Sequence, residues 1–385
     1  MTDQALHRWV DTPEALDAVV DEALTAPAYA VDTEFHREKT YWPQLALVQL
    51  AWPGGIALVD PLAIDIRGLA RLLDSEALCV AHAADQDLEI LQTATGTVPR
   101  RLFDSQVAAG FLGHSSPSLS TLAHSLLKIT LPKGDRMTDW TRRPLDAAQR
   151  RYAASDVAHL LELYEQLRDD LDRRGRLAWA EQECEMARVR PRGPGEPETA
   201  WWRVKDVRHI RGNGRAVAQV LAAWRERRAA KLDRPVRFIL SDMAILTIAS
   251  NPPKSLDALR ALRGVDGRQV GGSAGKEILA AVSEGLALPP EQLRVPSTDE
   301  LDRKMRPAVA LAAAWVAQLS ADLHIDTTLL ATRADLHALL NNDPNARLAQ
   351  GWRHDVVGEP VRQLATGKAA LAFDGRGGLE LIPRQ

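Results

Sequence analysis

The run Ala28-Tyr-Ala-Val-Asp32-Thr-Glu34-Phe35 constrains the fold more than any other stretch of this chain. Its small, aromatic and β-branched residues predict a strand, and a strand's period of two turns Asp32 and Glu34 out of the same face. Two like charges side by side repel, so the strand has to end where a cation or solvent neutralises them. A solvated strand end meets that demand as well as a metal site does, and the rest of the chain has to decide between the two.

Around this strand the N-terminal part alternates strands with helices. Leu45–Trp52 and Ile56–Val59 flank Pro53-Gly54-Gly55, a turn signal that predicts an antiparallel hairpin. Short strands at Leu78–Ala81 and ending at Leu102-Phe103 follow, with helices over Asp85–Leu91, Ser105–Leu112 and Leu119–Leu127. Asp146–Leu171 reads as one long amphipathic pattern carrying Tyr152, Val157, Leu160, Leu161, Tyr164 and Leu167. A meander followed by strand–helix alternation predicts a mixed sheet with flanking helices.

Pro191-Arg-Gly-Pro-Gly-Glu-Pro197 is a linker, and beyond it the pattern becomes helical: Ala216–Arg228, Asp242–Ser250, Ser255–Leu262 and Lys276–Glu284. Pro289-Pro290 and Pro296 mark a second boundary. A further helical set covers Ala308–Leu319, Thr328–Leu330 and Arg333–Leu340, and Asp374–Gly378 between two apolar runs predicts a terminal hairpin. The domains expected are therefore 1–190, a linker over 191–210, then 211–292 and 296–385.

The net charge of -3 conceals an asymmetry: residues 1–190 carry net -9 and residues 198–295 net +7. A basic block beside a carboxylate-rich one suits a module that holds a polyanion next to the acidic site. No apolar run has the length of a bilayer span, the N-terminus lacks a signal-peptide pattern, and Cys79 and Cys184 match neither a zinc spacing nor a disulfide framework, so a cytoplasmic protein with buried thiols and no membrane partner is expected.

Two later segments supply partners for Asp32 and Glu34. Asp85-Gln-Asp87 opens a helix after the Leu78–Ala81 strand; helical spacing points the two acids in different directions, so one is a ligand and the other a helix cap. Tyr152-Ala-Ala-Ser-Asp156 places a phenol and a carboxylate on one helical face. With an ordinary pKa near 10 the phenol is a poor general base, which suits it to orient a water. Convergent carboxylates without a His or Cys cluster select hard cations, magnesium or manganese, and two such ions support phosphodiester hydrolysis. Gly271–Glu277 is no phosphate loop, because Val270 and Glu277 stand where Gly and Ser/Thr are required. Trp201-Trp202 is expected to dock one domain on another. Arg225, Arg227, Arg228, Lys231, Arg234 and Arg237 suit phosphate contacts, and Arg142-Arg143 and Arg150-Arg151 suit neutralisation of the scissile strand.

Asp32-Thr-Glu34-Phe, Arg37–Leu45, His82-Ala-Ala-Asp-Gln-Asp87-Leu-Glu, Leu102-Phe-Asp104, Asp139-Trp140-Thr-Arg-Arg143-Pro144-Leu145 and Tyr152-Ala-Ala-Ser-Asp156-Val together resemble, in order and spacing, the ribonuclease D group of DEDDy exonucleases. Residues 211–292 are similar to an HRDC domain and residues 300–365 to a divergent second copy. The resemblance implies an α/β RNase-H-like mixed-sheet exonuclease domain followed by two all-α HRDC-type domains. It implies 3′-5′ hydrolysis of RNA ends with release of nucleoside 5′-monophosphates, tRNA and other stable RNA precursors being the substrate class, with no protein partner implied. It selects Asp87 over Asp85, makes Asp32, Glu34, Asp87 and Asp156 the ligands of two Mg2+ or Mn2+ ions and Tyr152 the catalytic tyrosine, and leaves Asp104 structural or substrate-adjacent. Asp32 is then expected to bridge both ions and Glu34 to hold the one that activates water. Related exonuclease domains with HRDC partners act in DNA repair, so the alternative is a 3′-5′ exodeoxyribonuclease. A non-catalytic RNA-binding protein is opposed by the presence of all four carboxylates.

Overall fold

The computed structural model describes residues 7–132, 134, 138–295 and 305–384. Pro296, read as a boundary, lies outside them. Among the described residues of the N-terminal part, six strands form one mixed sheet: β1 (Arg8–Val10), β2 (Ala28–His36), β3 (Gln44–Trp52), β4 (Gly55–Val59), β5 (Leu78–Ala81) and β6 (Leu102–Asp104), in the order β1-β4-β3-β2-β5-β6. The β2-β3-β4 meander is antiparallel, as the Pro-Gly-Gly turn predicts, whereas β5 and β6 run parallel to β2.

The pairing of β2 is lopsided. It follows β3 from Ala30 to His36 but meets β5 only over Ala28–Ala30. The carboxyl half of β2 therefore overhangs the end of β5 at the point where strand order reverses, the place where open α/β sheets form their sites.

Each face of the sheet is covered. Tyr29 and Val31 join Val48, Leu50, Ala57 and Val59 in a core beneath α1 (Pro13–Ala23), α2 (Ala70–Leu73) and α3 (Asp85–Thr95). On the opposite face lie α4 (Ser105–Gly110), α5 (Leu119–Leu127), α6 (Ala147–Ala158), α7 (Leu160–Arg173) and α8 (Leu177–Val189). The pattern over Asp146–Leu171 is thus two helices and not one. At His159 the backbone leaves the helical region (φ -115°, ψ 5°), which lets Ala153 and Ala154 of α6 pack on Leu47 and Leu58 of the sheet while Leu163 and Leu167 of α7 join Phe103 and Phe111 in a second core. Helix α1, absent from the sequence reading, did carry a signal: Thr12 caps it and Pro13 opens it.

The basic domain is all-helical: α9 (Gly214–Leu232), α10 (Val236–Ile239), α11 (Asp242–Ser250), α12 (Leu256–Arg260) and α13 (Ala274–Ala287). Trp201 and Trp202 do not dock one domain on another. Trp201 is buried in this domain's own core with Val217 and Leu221, and both indole N–H groups donate to the carbonyl of Arg294.

The C-terminal helices are α14 (Arg306–Leu323), α15 (Thr327–Leu330), α16 (Arg333–Leu340), α17 (Gly351–Arg353) and α18 (Glu359–Ala365), followed by the expected hairpin β7 (Ala369–Phe373) and β8 (Leu379–Pro383). Their core is continuous with that under α7: Val316, Leu336 and Trp352 share one apolar cluster with Phe111 and Leu163. No single helix among the described residues is long and apolar enough to cross a membrane.

Candidate active site

Strand β2 delivers Asp32 and Glu34 to the face that α6 covers, since each stands opposite a residue of that face, Gln49 and Leu47. Helix α6 is started by Asp146, whose carboxylate accepts the N–H of Gln149 while the Gln149 side chain accepts the N–H of Asp146. Fixed in this way, α6 brings Asp156 against the strand. One carboxylate oxygen from each of Asp32, Glu34 and Asp156 lies within 4.8 Å of the others.

Burial and mutual repulsion act in one direction on this cluster. Burial first, then the charges of Asp87, Asp156 and Glu34, hold the Asp32 carboxyl well above its ordinary range. Burial followed by Asp156 and Asp87 pushes Glu34 up to about 8. Burial raises Asp156 to about 7, against the lowering effect of its hydrogen bond with the Tyr152 hydroxyl. The charges that raise Asp32 and Glu34 are those of neighbouring carboxylates, so the cluster accumulates negative charge that a divalent cation would neutralise. An all-oxygen donor set suits a hard ion.

Asp87 reaches the cluster from the other side of the sheet. It is buried in the first turn of α3, its Oδ1 accepts the Thr33 hydroxyl at 2.5 Å, and burial raises its carboxyl to about 6. It lies outside the three-carboxylate group but close enough to raise Asp32. Asp85 is exposed and faces Arg190 at 3.5 Å. Asp85 is not the cap expected of it: Ala84 stands at the N-cap of α3 without a side-chain cap bond, and Asp104 holds the segment leading into the helix. The Asp104 carboxylate accepts the N–H groups of Ala83 (3.0 Å) and Ala84 (2.8 Å) ahead of α3, and of Gln106 (2.8 Å) and Val107 (3.3 Å) in α4.

Tyr152 lies one turn before Asp156 and stacks on Trp140 with ring centroids 6.1 Å apart. Burial and the charges of Asp156, Glu34 and Asp32 push its phenol above the ordinary value, so it stays protonated and acts as a donor. A Cβ at Gly134 would stand 2.3 Å from the Tyr152 ring, so any larger residue there has to displace the phenol. A cleft of about 530 Å³ opens beside these groups, lined by Glu34, Arg37, Lys39, Thr138, Trp140 and Tyr152.

Several basic residues named from sequence serve packing instead. Arg143 holds both oxygens of Asp60 at 2.6 Å and the carbonyl of Ala46, and Arg143 and Arg150 both lie over the Trp9 ring. Arg225 is buried and paired with Asp242, Arg228 pairs with Glu277 and the exposed Arg227 with Glu198, and Lys231, Arg234 and Arg237 are further exposed positions of that stretch. Arg143 is neutralised inside the fold by the buried Asp60, and Arg225 and Arg228 by the half-buried Asp242 and Glu277.

Residues 7–172 match the 3′-5′ exonuclease family and residues 214–282 match the HRDC domain. The chain is 37% identical over 376 residues to ribonuclease D of Acidiphilium cryptum, covering 95% of each, and 38% identical over 378 residues to ribonuclease D of Gluconacetobacter diazotrophicus, covering 95% of this chain and 94% of that one. Its fold superposes on the crystal structure of Escherichia coli RNase D, an exoribonuclease involved in structured RNA processing, with TM-score 0.85 and 30% identity over 94% of this chain and 99% of that one.

Proposed function

The chain belongs to the ribonuclease D family, and from that premise we propose how its acidic site performs 3′-5′ exoribonuclease chemistry. The enzyme hydrolyses phosphodiester bonds at RNA 3′ ends, and the family's chemistry uses divalent metal. In our reading Asp32, Glu34, Asp87 and Asp156 would hold two ions, magnesium or manganese. When bound, such ions activate a water and stabilise the attacking and leaving oxygens of an in-line displacement. Tyr152, kept protonated beside Asp156, orients that water with its hydroxyl and the Trp140 stack holds the ring in place. The product is a nucleoside 5′-monophosphate. The observation that carries this reading is the convergence of three half-buried carboxylates, with neighbouring charges raising Asp32 and Glu34.

The substrate proposed is a structured RNA with a single-stranded 3′ tail, tRNA precursors above all. The net +7 of residues 198–295 and the structured-RNA role of the Escherichia coli relative support it. We also propose the division 1–190, 191–210, 211–292 and 296–385, with the last unit a divergent second HRDC copy. Its support is a repeat at a constant offset of 91 residues: Asp233 and His324 both end a long helix in the left-handed region, and Ser241 and Thr332 both cap the next helix but one. Two buried, unpaired thiols fit a reducing cytoplasm.

The test is a time course on end-labelled tRNA precursor with Mg2+, Mn2+ or chelator, and a matched DNA oligonucleotide in competition. Asp87→Asn is expected to lower hydrolysis at least about a thousandfold, and Asp85→Asn to leave it within about twofold. The reverse ranking would transfer the ligand role to Asp85, and preference for the DNA would favour the exodeoxyribonuclease.

A further inference from the structure

The connection between β2 and β3 lines the cleft with Arg37, Glu38 and Lys39, then leaves it and meets the basic helical domain. At that meeting the carboxylate of Asp233 accepts two successive backbone N–H groups, those of Tyr41 and Trp42, each at 3.0 Å. The Tyr41 hydroxyl donates to Glu226 at 2.9 Å, the Trp42 indole donates to the carbonyl of Ala230 at 3.4 Å, and Arg237 donates to the carbonyl of Glu38 at 3.2 Å. Every partner on the far side belongs to α9, its C-terminal cap or α10.

Both anchors are themselves fixed. Asp233 caps α9 in the left-handed region (φ 47°, ψ 51°), with its own N–H bound to the carbonyl of Ala229. Glu226 is buried and is held from another side by Arg203 at 3.0 Å. The other end of the connection is tied within the exonuclease domain, where Arg37 pairs with Glu89 of α3 at 2.6 Å. Lys39 and the side chain of Glu38, exposed beside the cleft that Glu34 and Tyr152 line, lie between these two attachments.

We propose that Asp233 and Glu226 are positioning residues for hydrolysis: by clamping Tyr41 and Trp42, the helical domain builds one wall of the catalytic cleft. This rests on the cleft being the place where RNA 3′ ends are hydrolysed. The clamp has a consequence that a phosphate grip on the same domain lacks. A grip raises affinity for RNA long enough to reach it, whereas the clamp sets the turnover of every substrate, including one confined to the cleft.

The test uses the full-length protein and a tetranucleotide RNA beside a long tRNA precursor. Asp233→Gly keeps the left-handed backbone and removes the acceptor; Asp233→Asn keeps both, because asparagine tolerates that region and its amide oxygen still accepts. Asp233→Gly is expected to lower kcat on the tetranucleotide roughly tenfold, and Asp233→Asn to restore most of it. Hydrogen exchange at the Tyr41 and Trp42 amides gives a readout independent of turnover: protection falls in the glycine variant and persists in the asparagine one. Tyr41→Phe, which deletes a single hydroxyl, repeats the comparison should Asp233→Gly fail to fold, with a smaller loss of kcat expected. Unchanged tetranucleotide turnover with lost amide protection overturns the positioning role, and unchanged protection overturns the clamp itself. A wild-type protein that cleaves neither RNA overturns the assignment of the cleft, and with it the positioning role, while amide exchange still decides whether the clamp exists.

Discussion

Asp32, Glu34 and Asp156 face one another with oxygens within 4.8 Å, and this closeness makes the metal-free protein sensitive to pH in an unusual direction. Carboxyls at about 8 for Glu34, about 7 for Asp156 and about 6 for Asp87 bind protons in the folded state that the unfolded chain has already released. Between roughly pH 4 and pH 8 the folded state therefore holds more protons, and stability falls as pH rises, by ~1.4 kcal/mol for each unit of upward shift. The melting temperature of the chelated protein is expected to drop from pH 5 to pH 8.5, and added Mn2+ to restore it more at the higher pH, where the ligands are ionised. A flat melting profile in chelator would contradict this account. Asp87 shows what a residue's type leaves unsaid: its spacing in Asp85-Gln-Asp87 allowed either acid to be the ligand, and only the packed α3 shows one of them buried on Thr33 and the other exposed.

Strand β2 and helix α6 carry the site between them, and the approach to α6 is secured by an ion pair rather than by apolar packing alone. Arg143 ties the segment before α6 to Asp60 beyond β4 and to Ala46 of β3. Arg143→Leu leaves Asp60 charged and buried without its partner, which is expected to cost about 3 kcal/mol in denaturant unfolding. Because α6 holds Asp156 and Tyr152, the same variant should also lower turnover. Period-two alternation in β2 and the Tyr152–Asp156 spacing in α6 were legible in the sequence, since each depends on the geometry of one element. The break at His159 was not, for neither glycine nor proline marks it and the turn follows from two helices seeking different cores.

On the scale of the whole molecule, the C-terminal helices complete the exonuclease core. Trp352 stacks on Trp179 of α8 at 5.0 Å and meets Phe111 edge-on at 5.2 Å, while its indole N–H and Arg353 both donate to buried Glu183. Trp352→Ala is expected to destabilise the protein by about 3–5 kcal/mol, measured by chemical unfolding, with the loss felt in the exonuclease domain as well as at the C-terminus. The sequence alone determined the strand with its paired carboxylates, the hairpin, the phenol one turn from Asp156, the basic middle block and the order of motifs that marks the family, because all of these are properties of neighbours along the chain. Only the tertiary structure decided that Arg143 and Arg225 are spent on acids within the fold, that Asp104 caps α4 and holds the entry to α3, that Trp201 closes its own domain, and that Asp233 and Glu226 hold Tyr41 and Trp42 next to the cleft of another. Each of those depends on partners brought together across many residues of sequence, where packing rather than local pattern sets which charge meets which.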